Sequence, residues 1–432
     1  MSFKASKIIN FGEWLPDLPF YENPGLTEAK NVLAVDGHYK DFLALSTTGS
    51  AVNARVIGAF SALDSTGDSF LYAGTTADLF FDNAGTWTDL SAATYNTAAD
   101  GYWRFAQFDN LVIATNYADT IQALTAGAVS TTALGTSGTA PRARQVGVIG
   151  RFVFVGDTDV IGGTVPHRVQ WSAIDNPRDW QTPNTAAARA VQSGAQTLSG
   201  EHGAVTAIAG GQFYGLVFQA RAITRFTYVG GDAVFQVQTF EKSHGCWFPR
   251  SMVQVGEMTY FIAHDGFYVT DGNSVTPIGY AKADKTFLSL ADQGYLERVT
   301  VAVDYQTKNI LWCFPDSDAT TGGPNKVFAF NYMEGRFTNA EQDIEILFNN
   351  YTDGLTLDQL DTLYTSIDSM TDSFDSSAFL GGVPSMSAFG SDHKIGTFGG
   401  ASLAARFESG EYDMNPTGRF FVRGVRPMVA GN

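Results

Sequence analysis

The chain has 432 residues, rich in Phe (33), Tyr (17) and Gly (45), with only 27 Lys plus Arg and a formal net charge of −17. That charge excludes a high-affinity nucleic-acid grip, which needs clustered Lys and Arg to neutralise phosphates. Two cysteines are too few for a disulfide framework, and no apolar run has the length of a membrane span or a signal-peptide core, so a soluble chain without stable membrane insertion is expected.

Residues 1–50 predict an N-terminal extended strap. Pro16 and Pro19 stand among Trp14, Leu15, Leu18 and Phe20, a pattern that disfavours both a helix and a central strand. These four apolar residues form a candidate subunit contact, with packing on the chain's own body as the alternative. Asn23-Pro-Gly25 makes a turn, and Leu26–Val35 fits one short helix or strand before Asp36-Gly37.

Residues 51–340 carry a repeat of about 45 residues, the spacing of propeller blades. It is seen over Val56–Leu90, Tyr102–Leu134, Ala143–Trp180, Ala204–Phe240, Met252–Ile278 and Val299–Phe337. Each copy has an apolar strand, a Gly- or Asp-bearing turn, a second apolar strand and a polar strand ending in an aromatic. The phrases Phe70-Leu-Tyr-Ala-Gly74, Phe152-Val-Phe-Val-Gly156 and Tyr260-Phe-Ile-Ala-His264 occupy the same place in their copies. Such a unit cannot bury both faces alone, and a closed ring of stacked sheets satisfies all copies at once. The fold class is therefore all-β: a β-propeller of about six or seven blades, with the strap and an appended, mostly β, C-terminal segment. Within the repeats, the small-residue stretch Gln181–His202 predicts a long exposed loop. Cys246 and Cys313, beside aromatics, predict buried free thiols.

Residues 341–432 change character. Leu357, Leu360, Ile367 and Phe374 are each followed by Asp, and Leu360, Leu363, Ile367 and Met370 fit one face of a short packing helix or wrapped linker. Strand signals return over Ser385–Asp413, giving either an extra blade or a nozzle/platform domain. The closing strand Gly418–Pro427 interleaves Arg419, Arg423 and Arg426 with apolar residues as a half-buried strand does, giving either a candidate contact surface or a solvated strand face.

Chemistry-bearing motifs are missing from the sequence. The six histidines show no metal-ligand spacing, there is no Cys-x-x-Cys pair, no nucleophile elbow and no phosphate-binding loop. A propeller glycosidase would need paired carboxylates at the channel mouth, for which Asp157, Asp159, Glu241 and Asp265 are available. With 44 acidic residues in the chain, their presence alone selects nothing. The expectation is a non-enzyme without catalytic, cofactor or metal residues; a glycan-binding or glycan-cleaving propeller is the alternative.

Several phrases resemble tail proteins of short-tailed bacteriophages: Glu13-Trp-Leu-Pro-Asp17, Asn23–Leu33, Arg168–Trp180, Tyr228-Val-Gly-Gly231, Gly245-Cys246, Pro249-Arg-Ser251, Asp265–Val269, the Leu-Asp segment Leu357–Asp375 and Val425-Arg-Pro427. In this order they are similar to the β-propeller tail hub, or nozzle, family, also called packaged-DNA stabilisation proteins. The resemblance implies a homo-oligomeric, sixfold ring in the virion tail, below the portal and adaptor, assembled in the host cytoplasm. It also implies extension of the DNA channel, retention of the genome and support of tail fibres or spikes, with DNA passing without sequence-specific binding. Members of that family often continue past the Val-Arg-Pro strand with further strands, whereas this sequence stops at Asn432, so the resemblance leaves the completeness of the last domain open. A net negative charge suits a wall along which DNA slides. For a constriction in that channel, the loop from Gln181 to His202 and the acidic turn at Asp316 and Asp318 are the candidates.

Overall fold

In the computed structural model, described for residues 11–21, 23–83, 85–160, 163–319, 322–351 and 383–411, the strands sort into seven blade sheets. Blade 1 comprises Gly58–Leu63, Ser69–Gly74, Leu79–Asn83 and Thr86–Asp89. Blade 2 comprises Arg104–Phe108, Leu111–Thr115, Gln122–Thr125 and Thr132–Ala133. Blade 3 runs from Arg142–Ile149 through Phe152–Val160 and Gly163–Trp171 to Gly194–Thr197. Blade 4 runs from Val205–Ala209 through Tyr214–Gln219 and Ile223–Gly230 to Val234–Glu241. Blade 5 is Val253–Val255, Met258–Ala263, Gly266–Thr270 and Val275–Pro277. The blade strands pair antiparallel with their sheet neighbours.

Blade 6 starts with Thr300–Asp304, Asn309–Phe314, Lys326–Asn331 and Arg336–Glu341. Its rim is extended by Leu26–Lys30, parallel to the fourth strand, and then by Arg406–Ser409, antiparallel to Leu26–Lys30. Blade 7 takes Ile346–Tyr351, Pro384–Phe389 and Ile395–Thr397 from the C-terminal part and Ser46–Thr47 from the N-terminal part. The molecule is thus a seven-bladed β-propeller whose last blade is completed by a strand from the first fifty residues. The region beyond 341 supplies blade 7 and part of the rim of blade 6. Residues 352–382, with the Leu-Asp segment, and 412–432, with Arg419, Arg423 and Arg426, lie outside the described residues.

The first strands of the blades contact one another around the axis, so they are the innermost. Ala62, Ala106, Ala143, Ala207 and Ala302 are buried on these strands, where small side chains let neighbouring blades converge. The middle strands are buried on both faces, as with Phe152–Gly156 and Asn309–Phe314, and accordingly read as continuous apolar runs. Each pair of consecutive blades encloses its own core. Phe154, Trp171, Val217 and Phe226 lie between blades 3 and 4, and Ile262, Phe267, Trp312 and Phe328 between blades 5 and 6. Between blades 1 and 2, Trp103 lies flat on the backbone: a Cβ on Gly74 would stand 2.3 Å from its ring, and its indole nitrogen donates to the Thr75 carbonyl at 2.8 Å.

Antiparallel order fixes two faces. Turns between first and second and between third and fourth strands share the lower face. Second-to-third turns and the links from blade to blade share the upper face. Cys246 and Cys313 are buried free thiols.

The strap packs on its own chain. Leu26–Val35 forms two strands, Leu26–Lys30 and Val32–Val35, broken at Asn31, whose φ is +59°. Trp14 is 3% exposed, donates to the Thr27 carbonyl at 3.2 Å and meets Phe328 edge-on at 5.2 Å. Lys282 pairs with Glu13 at 2.6 Å. The Asp17 carboxylate accepts from the Lys285 and Thr286 backbone amides at 2.9 and 2.8 Å.

Candidate functional site at the channel mouth

The residues that immediately precede or open the inner strands must converge at the upper mouth of the channel. Arg55 and Val56 come from the approach to blade 1, and Asp100, Tyr102 and Arg104 from that to blade 2. Arg250, Glu297 with Arg298, and Glu345 stand at the same phase of blades 5, 6 and 7. Most of these line one small cavity of about 10 Å³, the room of a single water.

The mouth is bridged from side to side. Arg104 of blade 2 donates through Nη2 to the carbonyl of Pro249, which leads into blade 5, and through Nε to Gln145 of blade 3 at 3.2 Å. Gln145 in turn donates to the buried Tyr102 hydroxyl at 2.6 Å, and Arg250 lies 5.3 Å from the Tyr102 ring centroid. Arg298 pairs with Asp100 at 3.2 Å, donates to the Gly322 carbonyl at 2.7 Å and stacks on Tyr295 at 4.0 Å. Glu345 accepts from the Val56 amide at 2.9 Å and meets His393 at 2.6 Å. Burial pushes Glu345 above the usual glutamate value; Val56 and His393 oppose that shift. Burial, then the charges of Arg104 and Arg55, holds Arg250 below the usual arginine value, and it stays protonated at neutral pH.

The four acids considered for hydrolysis go to separate places. Asp157 and Asp159 lie on the second strand of blade 3, paired with Arg144 at 3.0 Å and with Arg142. Glu241 and Asp265 meet on the upper face around His244, at 3.5 and 3.3 Å from its two ring nitrogens, with the Tyr268 hydroxyl donating to Asp265 at 2.9 Å. Glu241 also accepts from the Lys242, Ser243 and His244 amides, so this carboxylate is engaged in shaping its turn.

The sequence-predicted contact and gate residues are also placed. Leu15 is half-buried, its amide donating to the Leu26 carbonyl at 2.8 Å and its carbonyl accepting from the Asn23 side-chain amide at 2.8 Å, and Leu18 is half-buried beside it. Phe20 is 53% exposed. The stretch Gln181–His202 is structured where a loop was expected: it holds the helix Ala186–Val191, capped by Thr185, and the outermost strand of blade 3, Gly194–Thr197. That strand is the one furthest from the axis of its sheet. Gln181 bonds Ser137 and Asp179, and the His202 carbonyl accepts from Arg221 at 3.1 Å. Asp316 is buried in the upper turn of blade 6, where it accepts from Asn325 at 3.0 Å and from the Asp318 amide at 3.1 Å, while Asp318 is exposed. The arginines at the mouth escaped sequence reading, although Arg55, Arg104, Arg250 and Arg298 recur at nearly the blade period, a signal that was available.

The lower face differs in kind. Val129, Phe213, Tyr305 and Met333 occupy its turns, and Tyr228, Val229 and Met258 the strand ends beside them; all seven are 36–76% exposed. They come from blades 2, 4, 5 and 6. Scattered apolar side chains are ordinary on a protein surface, but their gathering on one face marks a surface suited to protein contact.

No protein-family model and no curated protein matches the chain. Among solved structures it is similar to the crystal structure of the computationally designed Ika8 protein, at 9% identity and a TM-score of 0.41, over 82% of this chain and 98% of that one. The class of protein is defined by the strand pairing itself: a seven-bladed β-propeller closed by its N-terminal part.

Proposed function

We propose that this propeller is a structural protein of a short-tailed bacteriophage virion, a tail hub or nozzle that forms a ring below the portal and adaptor. In that reading it extends the DNA channel, holds the packaged genome and supports tail fibres or spikes, and it acts without catalysis. The observation that carries the reading beyond the resemblance is the lower face, where apolar turn tips from several blades offer a protein-contact surface. The mouth supports it in a second way: Arg104 of blade 2 reaches the Pro249 carbonyl ahead of blade 5, so in this reading the DNA channel is the hole of a ring of several chains rather than the axis of one propeller. A ring also needs lateral contacts between unlike patches. Phe11, Phe20 and Tyr21 of the strap, 53–68% exposed, are better placed for them than Trp14.

The test is to add the purified chain to DNA-filled heads that lack it, and to follow release with a DNA-binding dye. Retained DNA together with a new ring beneath the adaptor is the expected result. Unchanged leakage with no binding to heads overturns the reading, and glycan arrays become the next experiment.

A further inference from the structure

Independently of the tail reading, the outer edges of the blades are not alike. Five outer strands are short: Thr86–Asp89, Thr132–Ala133, Gly194–Thr197, Val275–Pro277 and Ser46–Thr47 have two to four residues each. The fourth strand of blade 6, Arg336–Glu341, has six residues and is followed outward by Leu26–Lys30 and Arg406–Ser409. Blade 4 ends on a longer strand still, the eight residues Val234–Glu241, last in their sheet. Among the described residues no backbone hydrogen bond from another element meets its outer side. A strand so placed offers alternate N–H and C=O groups to a further strand, and proteins that avoid such pairing put Lys, Pro or a bulge on it. Bulges interrupt the register near both ends of Val234–Glu241, but residues 235–239 run straight between them without a charge, Pro or Gly. Gln236, Val237 and Gln238, in the middle, are exposed.

The sequence then selects the partner. Val234-Phe-Gln-Val-Gln-Thr-Phe240 is close to a palindrome about Val237. Against a second copy running antiparallel, with Val237 opposite itself, Gln236 meets Gln238 and Phe235 meets Thr239. Just beyond the strand, the Asp232 end of one copy comes to the Lys242 end of the other, twice over by symmetry. A parallel arrangement would instead set Asp232, Glu241 and Lys242 each against its like, which is unfavourable. We propose that the outer strand of blade 4 pairs antiparallel with the same strand of a second copy, joining two propellers edge to edge through one continuous sheet. Eight residues a side fall short of the roughly 20–30 of a standard interface, so the pair forms reversibly as concentration rises.

Sedimentation velocity of the whole chain over a wide range of concentration measures the pairing, and wild type should pass from monomer to dimer. Val237→Lys and Val237→Glu each set like charges opposite one another. Each alone should stay monomeric with its unfolding midpoint kept, whereas their mixture should dimerise again. Val237→Cys should cross-link to itself under mild oxidation, because directly opposed Cα atoms lie about 4.5–5.5 Å apart, within disulfide reach. Gln196→Cys, exposed on the outer strand of blade 3, should not, and the native thiols Cys246 and Cys313 are buried. If the charged variants fail to fold, the cross-link decides alone. Wild type monomeric at every concentration, association of any order that Val237→Lys leaves unchanged, or a Val237→Cys dimer that does not cross-link overturns the proposal. A Val237→Cys monomer that cross-links to a different protein instead assigns the edge to that partner and overturns it too.

Discussion

Thr47 pairs antiparallel with Gly396, which joins the start of the chain to its last described blade. Only two residues, Ser46 and Thr47, make the fourth strand of blade 7, yet through them the ring closes. Closure removes the exposed sheet faces that an open stack would leave at its two ends.

Gly396 has no room for a side chain at that seam: a Cβ there would stand 2.5 Å from the Ser46 carbonyl oxygen. Gly396→Val should therefore push the closing strand away and cost about 1–3 kcal/mol, the usual range for overpacking. Urea denaturation measures it. A variant as stable as wild type would mean that the closing strand contributes little.

Trp14→Ala separates the two roles open to the strap. The indole is buried against Phe328 with its nitrogen satisfied, so truncation leaves a large cavity in the isolated chain. The expected loss is about 3–5 kcal/mol by denaturation of the unassembled protein. A change confined to assembly, with the isolated chain unaffected, would return Trp14 to the subunit interface.

Six blades could be read from the sequence because each is local: four strands within one short consecutive stretch, from residues 253–277 in blade 5 to residues 142–197 in blade 3, separated by turns that Gly, Asn and Asp announce. Blade 7 could not be read as a unit. Its first two strands are separated by residues 352–383, and its fourth lies at Ser46–Thr47. The outer strand of blade 3 was hidden for another reason: Gly194-Ala-Gln-Thr197 is half-buried in its first two residues, exposed in its last two and without an apolar run, so composition alone reads as loop. The strap's attachment depends on Lys282 and Thr286, far away in sequence, and nothing near Asp17 or Glu13 announces them. The mouth was legible in principle. Its arginines share a blade phase, but periodicity of a charged residue draws less attention than periodicity of apolar ones.

Tyr102→Phe probes the bridge across the mouth. The hydroxyl is buried and accepts from Gln145, whose other side-chain atom holds Arg104. Removing it leaves a buried amide N–H without this partner, at about 1–3 kcal/mol. The packing of the ring is retained, so the denaturant slope should stay unchanged while the midpoint falls. An unchanged midpoint would show that Gln145 finds another acceptor.

Asp284 gives the fold a pH signature. Its carboxylate sits over Gly266 and Gly279, where no Cβ fits, and accepts from the Phe267 amide at 2.9 Å. Burial raises its pKa to about 6, the Phe267 hydrogen bond opposes this, and the charges of Asp17 and Asp265 add to it. The folded state therefore keeps a proton that the unfolded chain loses near pH 4. Between about pH 4 and pH 6 the native state binds more protons than the unfolded one, so stability falls as pH rises through that window and then levels off. The contribution is on the order of 2 kcal/mol. Asp284→Asn preserves an acceptor for Phe267 and abolishes the titration. Urea midpoints of both proteins at pH 4, 5, 6 and 7.5 should thus diverge, the variant gaining on wild type as pH rises, while Asp157 and Glu345, also raised by burial, titrate in both and cancel in the difference. Parallel pH profiles would show that Asp284 titrates in the folded state as it does in the unfolded chain, so that burial over the two glycines does not perturb it.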